Sequence, residues 1–97
     1  MSTRSAGLEI ERKVRQVLDS TLALHGRAWA FTDDTPLLGA LPELDSMAVA
    51  YLITGLEEQL EIAIADDDID GAIFATFGAL VRFSERKVEE QTERALG

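Results

Sequence analysis

Apolar residues recur at helical spacing in three stretches of the chain, and no stretch alternates long enough to read as a strand. In the first, Ile10, Val14, Val17, Leu18 and Leu22 share one face and predict a helix from about Leu8 to Leu24. Arg12, Lys13, Arg15 and Asp19 then fall on its outer face, and Gly26 is a stop signal. In the second, Val49, Leu52, Ile53, Leu56 and Leu60 predict a helix over Ser46–Glu61. Asp45 stands where an N-cap belongs. Gly55, inside this helix, costs about 1 kcal/mol relative to alanine, and close packing is the expected reason for keeping it. In the third, Phe77, Leu80, Val81, Ser84 and Val88 share a face through about Val88, with Thr76 as cap. A short helix over Asp70–Ala75 adds Ile69, Ile73 and Phe74 to the core. The expected fold is all-α: a small four-helix bundle with a long loop between helices 1 and 2 and a short helix 3.

Residues 26–44 make that loop. It is long for a compact domain and rich in turn signals: Asp33-Asp34-Thr35-Pro36, then Gly39 and Pro42. Its apolar side chains Trp29, Phe31, Leu37, Leu38, Leu41 and Leu44 are expected to pin it onto the bundle. Large aromatics mostly serve burial, so Trp29 reads as a core or loop anchor rather than a stacking surface. Residues 1–7, small and polar, read as a flexible tail, and the charged residues 89–97 as a second one, leaving 8–88 as the folded domain.

Length and composition narrow the function. Ninety-seven residues suit one domain, and the absence of cysteine excludes a disulfide framework and any thiol chemistry of the chain's own. No apolar run is long enough to span a membrane, and the N-terminal residues lack the apolar core of a secretory signal. A cytoplasmic, soluble monomer without membrane insertion is expected. The formal net charge is −9. Arg27 and Arg82 bracket 54 residues that hold eleven acids and no Lys or Arg. So one-sided a block repels nucleic acid and anionic lipid, and steers partners that carry basic patches.

Candidate chemistry is sparse. His25 has no serine or acid fixed near it by spacing, and reads as a cation favoured at a helix C-terminus rather than as a general base. Asp66, Asp68, Asp70 and Gly71 match positions one, three, five and six of a calcium-binding loop. Position twelve, which calls for a bidentate glutamate, is Phe77. One of these aspartates reads better as a helix cap, and no metal site is expected. Ser46 has no base, oxyanion motif or partner histidine at a motif spacing. No catalytic constellation is present, so the chain reads as a non-enzyme.

What Ser46 does have is a position. It follows Asp45 where loop becomes helix, and the unpaired N–H groups and dipole of a helix start favour a negative group there. Leu44-Asp45-Ser46-Met47, followed by Leu56-Glu57-Glu58, resembles the signature of the acyl carrier protein family, and the similarity runs from about Leu8 to Val88. The resemblance implies the four-helix carrier fold. It also implies 4′-phosphopantetheine attached to Ser46 by a phosphopantetheinyl transferase using coenzyme A. Acyl groups would then be held as thioesters and presented to an acyl-activating ligase, or to synthase and acyltransferase enzymes with basic docking patches. It assigns partner recognition to Asp45, Met47, Tyr51, Glu57, Glu58 and Glu61. Met47 replaces the family's usual leucine, and Ala48 and Tyr51 stand where fatty-acid carriers often have acids, so a specialised lipid or secondary pathway is expected. Leu41-Pro-Glu-Leu-Asp-Ser-Met47 with Phe74-Ala-Thr-Phe-Gly78 is also similar to carriers associated with exosortase or exopolysaccharide clusters. An aminoacyl or peptidyl carrier, or a non-carrier acidic helical adaptor with weak calcium binding, remain the alternatives.

Overall fold

A computed structural model describes residues 3–96, with side chains over 7–94. Three α-helices carry the fold: α1 (Thr3–Leu22), α2 (Ser46–Leu60) and α3 (Phe77–Leu96). Three 3₁₀ turns, Arg27–Ala30, Asp66–Asp68 and Gly71–Phe74, interrupt the connections. Among the described residues there are thus three α-helices rather than four. The expected short helix over Asp70–Ala75 is the single turn Gly71–Phe74, closed by Ala75 N–H onto Ala72 O at 3.2 Å. Asp70 caps it, its Oδ1 accepting from Ala72 N–H at 2.7 Å. No strand occurs among the described residues, only an isolated antiparallel bridge between Pro36 and Thr76.

The helices extend beyond the apolar stripes that predict them. Helix α1 begins at Thr3 rather than Leu8, and positions 1–2 of the expected tail lie outside the described residues. It ends at Leu22, where Ala23 takes a left-handed φ of 52°. Helix α3 continues to Leu96 rather than loosening after Val88, and position 97 of the second expected tail lies outside the described residues.

The core forms where the three helices meet. Val14, Leu18, Leu52, Leu56, Phe77 and Leu80 are fully or almost fully buried, joined by Leu24 just past α1 and by Leu37 from the long loop. Helix α1 packs most extensively on α2. Gly55 makes that approach possible: a Cβ there would lie 2.9 Å from Val17 Cγ1. Ser84, buried in α3, donates its hydroxyl to Leu80 O at 2.9 Å, so it enters the core without an orphaned polar group.

Two charged residues expected on the outer face of α1 turn inward to hold the loop. Arg15, with a side chain only 12% exposed, donates to Ala28 O at 2.7 Å and to Phe31 O at 2.8 Å, and pairs with Glu11 at 3.0 Å. Its guanidinium lies 4.5 Å from the centroid of the Phe77 ring. Asp19 accepts from Gly26 N–H at 3.0 Å and Ala28 N–H at 3.1 Å. A loop of this length has backbone groups to satisfy wherever it is covered, and these two side chains satisfy four of them. Trp29 is the opposite case. It was expected as an anchor, but the turn Arg27–Ala30 holds it 52% exposed, while the small Ala28 takes the buried position. Leu37 and Leu44 anchor the loop as expected, Phe31 and Leu41 do so in part, and Leu38 is 46% exposed.

Candidate functional site

The loop delivers the chain to α2 along a defined path. Leu41 N–H donates to Leu37 O at 2.9 Å and Leu44 N–H to Leu41 O at 3.0 Å, so residues 37–44 descend in successive turns. Leu44 is buried, which fixes the point from which Asp45 and Ser46 emerge. Arg27 pairs with Glu43 and ties the start of the loop to its end. That guanidinium holds the Glu43 carboxyl below the usual carboxylate range.

Asp45 is extended, with φ −100° and ψ −177°, and its Oδ1 accepts from Ala48 N–H at 2.8 Å. Its own carbonyl accepts the first intrahelical bond, from Val49 N–H at 2.9 Å. This is the N-cap geometry that the sequence predicts, and it makes Ser46 the first residue of α2. Ser46 is exposed, as are Asp45 and Met47 on either side. A group attached to the Ser46 hydroxyl would project into solvent while its negative charge sat at the positive end of the α2 dipole.

The structure separates the other residues tied to this site into two groups. Met47 and Tyr51, 67% and 63% exposed, are one helical turn apart. They bring large apolar side chains to the surface beside Ser46. Glu58 and Glu61 are exposed at the far end of α2. Glu57 is less available: its Oε2 accepts from Ile64 N–H at 2.9 Å, so it also fixes the chain leaving α2. Glu61 reverses that chain with a left-handed φ of 55°.

His25 is exposed beyond the end of α1 with a left-handed φ of 54°. Two aspartates of residues 66–70, Asp68 and Asp70, serve the backbone and α3. Asp68 Oδ2 accepts from Ala65 N–H at 3.0 Å and from Lys87 Nζ at 3.0 Å. Lys87 is 8% exposed, and its hydrogen bond to Asp68 raises its own pKa while lowering that of the carboxyl. Gln91 clasps the same segment, donating to Ala63 O at 2.8 Å and accepting from Ala63 N–H at 2.9 Å. No group of three or more potential metal ligands is gathered among the described residues. The contributions of Arg15, Asp19 and Lys87 were not visible to periodicity, because their partners lie far along the chain or are backbone groups. The absence of Lys and Arg from residues 28–81 was the available hint, since every cation that serves the loops must come from α1, α3 or Arg27.

Comparison with known proteins agrees with the helical fold. No protein-family model matches the chain, and no curated protein matches it. Among solved structures, a holo acyl carrier protein from Nitrosomonas europaea, determined by solution NMR, superposes with a TM-score of 0.75. The two are 42% identical over 82% of this chain and 95% of that one. The mostly helical fold is the one this carrier protein has. The chain belongs to the acyl carrier protein family.

Proposed function

We propose that this protein is an acyl carrier that uses Ser46 Oγ as the attachment point for 4′-phosphopantetheine. The observation that carries the reading is the exposed hydroxyl on the first residue of α2, held in place by the Asp45 cap and by buried Leu44. The residues present fit the group: the hydroxyl faces solvent, and the helix start favours the charge of a phosphodiester. The attached arm supplies a thiol that holds acyl groups as thioesters, chemistry that a chain without cysteine lacks. The neighbouring carboxylate, Asp45, is engaged in capping Ala48 N–H, and the base for the attachment is assigned to a separate phosphopantetheinyl transferase. The chain's own part is to present one hydroxyl at a fixed place and to keep the arm at high local concentration near a partner's active site.

Asp45 and Met47 are the contacts for the transferase. Glu58 and Glu61, with the remaining oxygen of Glu57, face basic patches on acyl-handling enzymes. Exposed Met47 and Tyr51 favour partners with an apolar contact surface, and support a specialised pathway over general fatty-acid synthesis. No helix among the described residues is long and apolar enough to cross a membrane. Incubation with coenzyme A and a broad-specificity transferase tests the reading by intact mass. Wild-type protein should gain one arm and Ser46→Ala none. An equal gain in both proteins, or no gain in either, contradicts the assignment.

A further inference from the structure

We infer that a groove between the N-terminal part of α1 and the C-terminal half of α3 is a second protein-docking surface, fitted to a basic amphipathic helix. The groove encloses about 470 Å³. Gly7, Ile10 and Val88 line it with apolar surface, and Glu85, Glu89 and Glu93 line the α3 side at one-turn spacing. Gly7 keeps it open beside Glu85, since a Cβ there would come within 3.1 Å of Glu85 Oε2.

The lining specifies the occupant. An apolar strip bordered by three carboxylates about 6 Å apart along a helix matches a second helix with an apolar stripe and Lys or Arg at successive turns. Among the described residues that line it three are acidic and none is basic, a charge that complements a basic segment rather than an acidic one. The location gives the surface its use. The α3 wall of the groove, Glu85–Glu93, includes the turn where Gln91 clasps Ala63, just beyond the C-terminal end of α2, so the groove lies beside the end of α2 opposite Ser46. A partner seated in the groove therefore leaves the Ser46 end of α2 uncovered, and the protein can be held at one end while it works at the other.

The inference does not depend on the carrier reading, and its test can be made in a Ser46→Ala background. The probes are a Leu/Lys peptide of about 15 residues patterned as an amphipathic helix, and a peptide of the same composition scrambled to abolish the stripe. In a heteronuclear NMR titration, the patterned peptide should shift the amides of Gly7, Ile10 and Val88. It should bind at least tenfold more tightly than the scrambled one. The double variant Glu89→Lys/Glu93→Lys should lose at least tenfold in affinity while keeping its circular dichroism spectrum. Should that variant fail to fold, Thr92→Trp, which fills the groove from its exposed rim, should give the same loss. Shifts centred on the acids of residues 57–70, equal binding of both peptides, or self-association through the groove in sedimentation equilibrium would overturn the inference.

Discussion

Helices α2 and α3 begin with the same local device and come to opposite ends. At α2, Asp45 accepts from Ala48 N–H; at α3, Thr76 accepts from Ala79 N–H at 3.0 Å. Each is an N-cap bonded to the residue three positions on. At α3 the long loop then closes over the entrance. Phe77 N–H donates to Thr35 O at 2.8 Å and Gly78 N–H to Asp33 O at 3.0 Å, and both residues are buried. At α2 the equivalent residues, Ser46 and Met47, stand exposed. A cap motif alone therefore does not mark a site. What separates the two helix starts is whether the rest of the chain covers them.

The sharpest way to break the comparison is to make one substitution at both entrances. A Cβ at position 78 would lie 2.8 Å from Asp33 O, so Gly78→Val forces backbone apart and should cost about 3 kcal/mol. For a domain of this size that lowers Tm by roughly 15 °C. Ser46→Val meets only solvent, and should leave stability within about 0.5 kcal/mol while abolishing attachment of the arm. Thermal melts of the pair would contradict the comparison if the two shifts were similar.

The next largest effect lies under the closed entrance. Arg15→Met keeps much of the apolar stem but leaves the Phe31 carbonyl without its Arg15 donor and Ala28 O with the Phe31 N–H alone, and should cost about 2 kcal/mol. Urea denaturation should show this as a lower midpoint with little change in slope. Loss of the caps themselves is smaller: Thr76→Ala and Asp45→Ala should each cost about 1 kcal/mol. Asp45→Asn preserves the cap, so a slower transferase rate in that variant at unchanged Tm would isolate the role of the charge from that of the hydrogen bond.

Much of the open entrance was legible in the sequence, because its cap and its helix are local. Asp45, the α2 stripe and the inward-facing Leu52, Ile53 and Leu56 follow from spacing alone. At the closed entrance the Thr76 cap was legible but the closure was not, because it is built from contacts between residues 33–38 and 74–78. Trp29 was misplaced for the same reason: periodicity has no purchase on a loop, where the backbone path decides which side chain turns inward. Helix α3 reaches Leu96 although its last two turns are mostly polar, since Glu, Gln and Arg are themselves good helix formers. The expected third helix shrank to one 3₁₀ turn between Asp70, which starts it, and the bridge at Thr76, which ends it.

The smallest effects are electrostatic. Glu43 and Asp68 have pKa values lowered from 4.5 and 3.8 by hydrogen bonds to Arg27 and Lys87. Their stabilisation is complete above those ordinary values and is lost as pH falls through the lower folded ones. Lys87, raised above 10.5, acts oppositely: its contribution persists up to that pH and disappears above its folded value. Melting temperature should thus be flat through neutrality and decline in acid below about pH 4. Asp68→Asn should flatten part of that decline. An acid limb unchanged in Asp68→Asn would show that the Lys87 contact adds nothing measurable.

The open entrance of α2 is tested most directly by locating the modification within the chain. After loading with coenzyme A and transferase, proteolysis and tandem mass spectrometry should place the whole mass gain on Ser46, with Thr76 and Ser84 unmodified. A gain on any other residue, or an unmodified Ser46 in correctly folded protein, would contradict it.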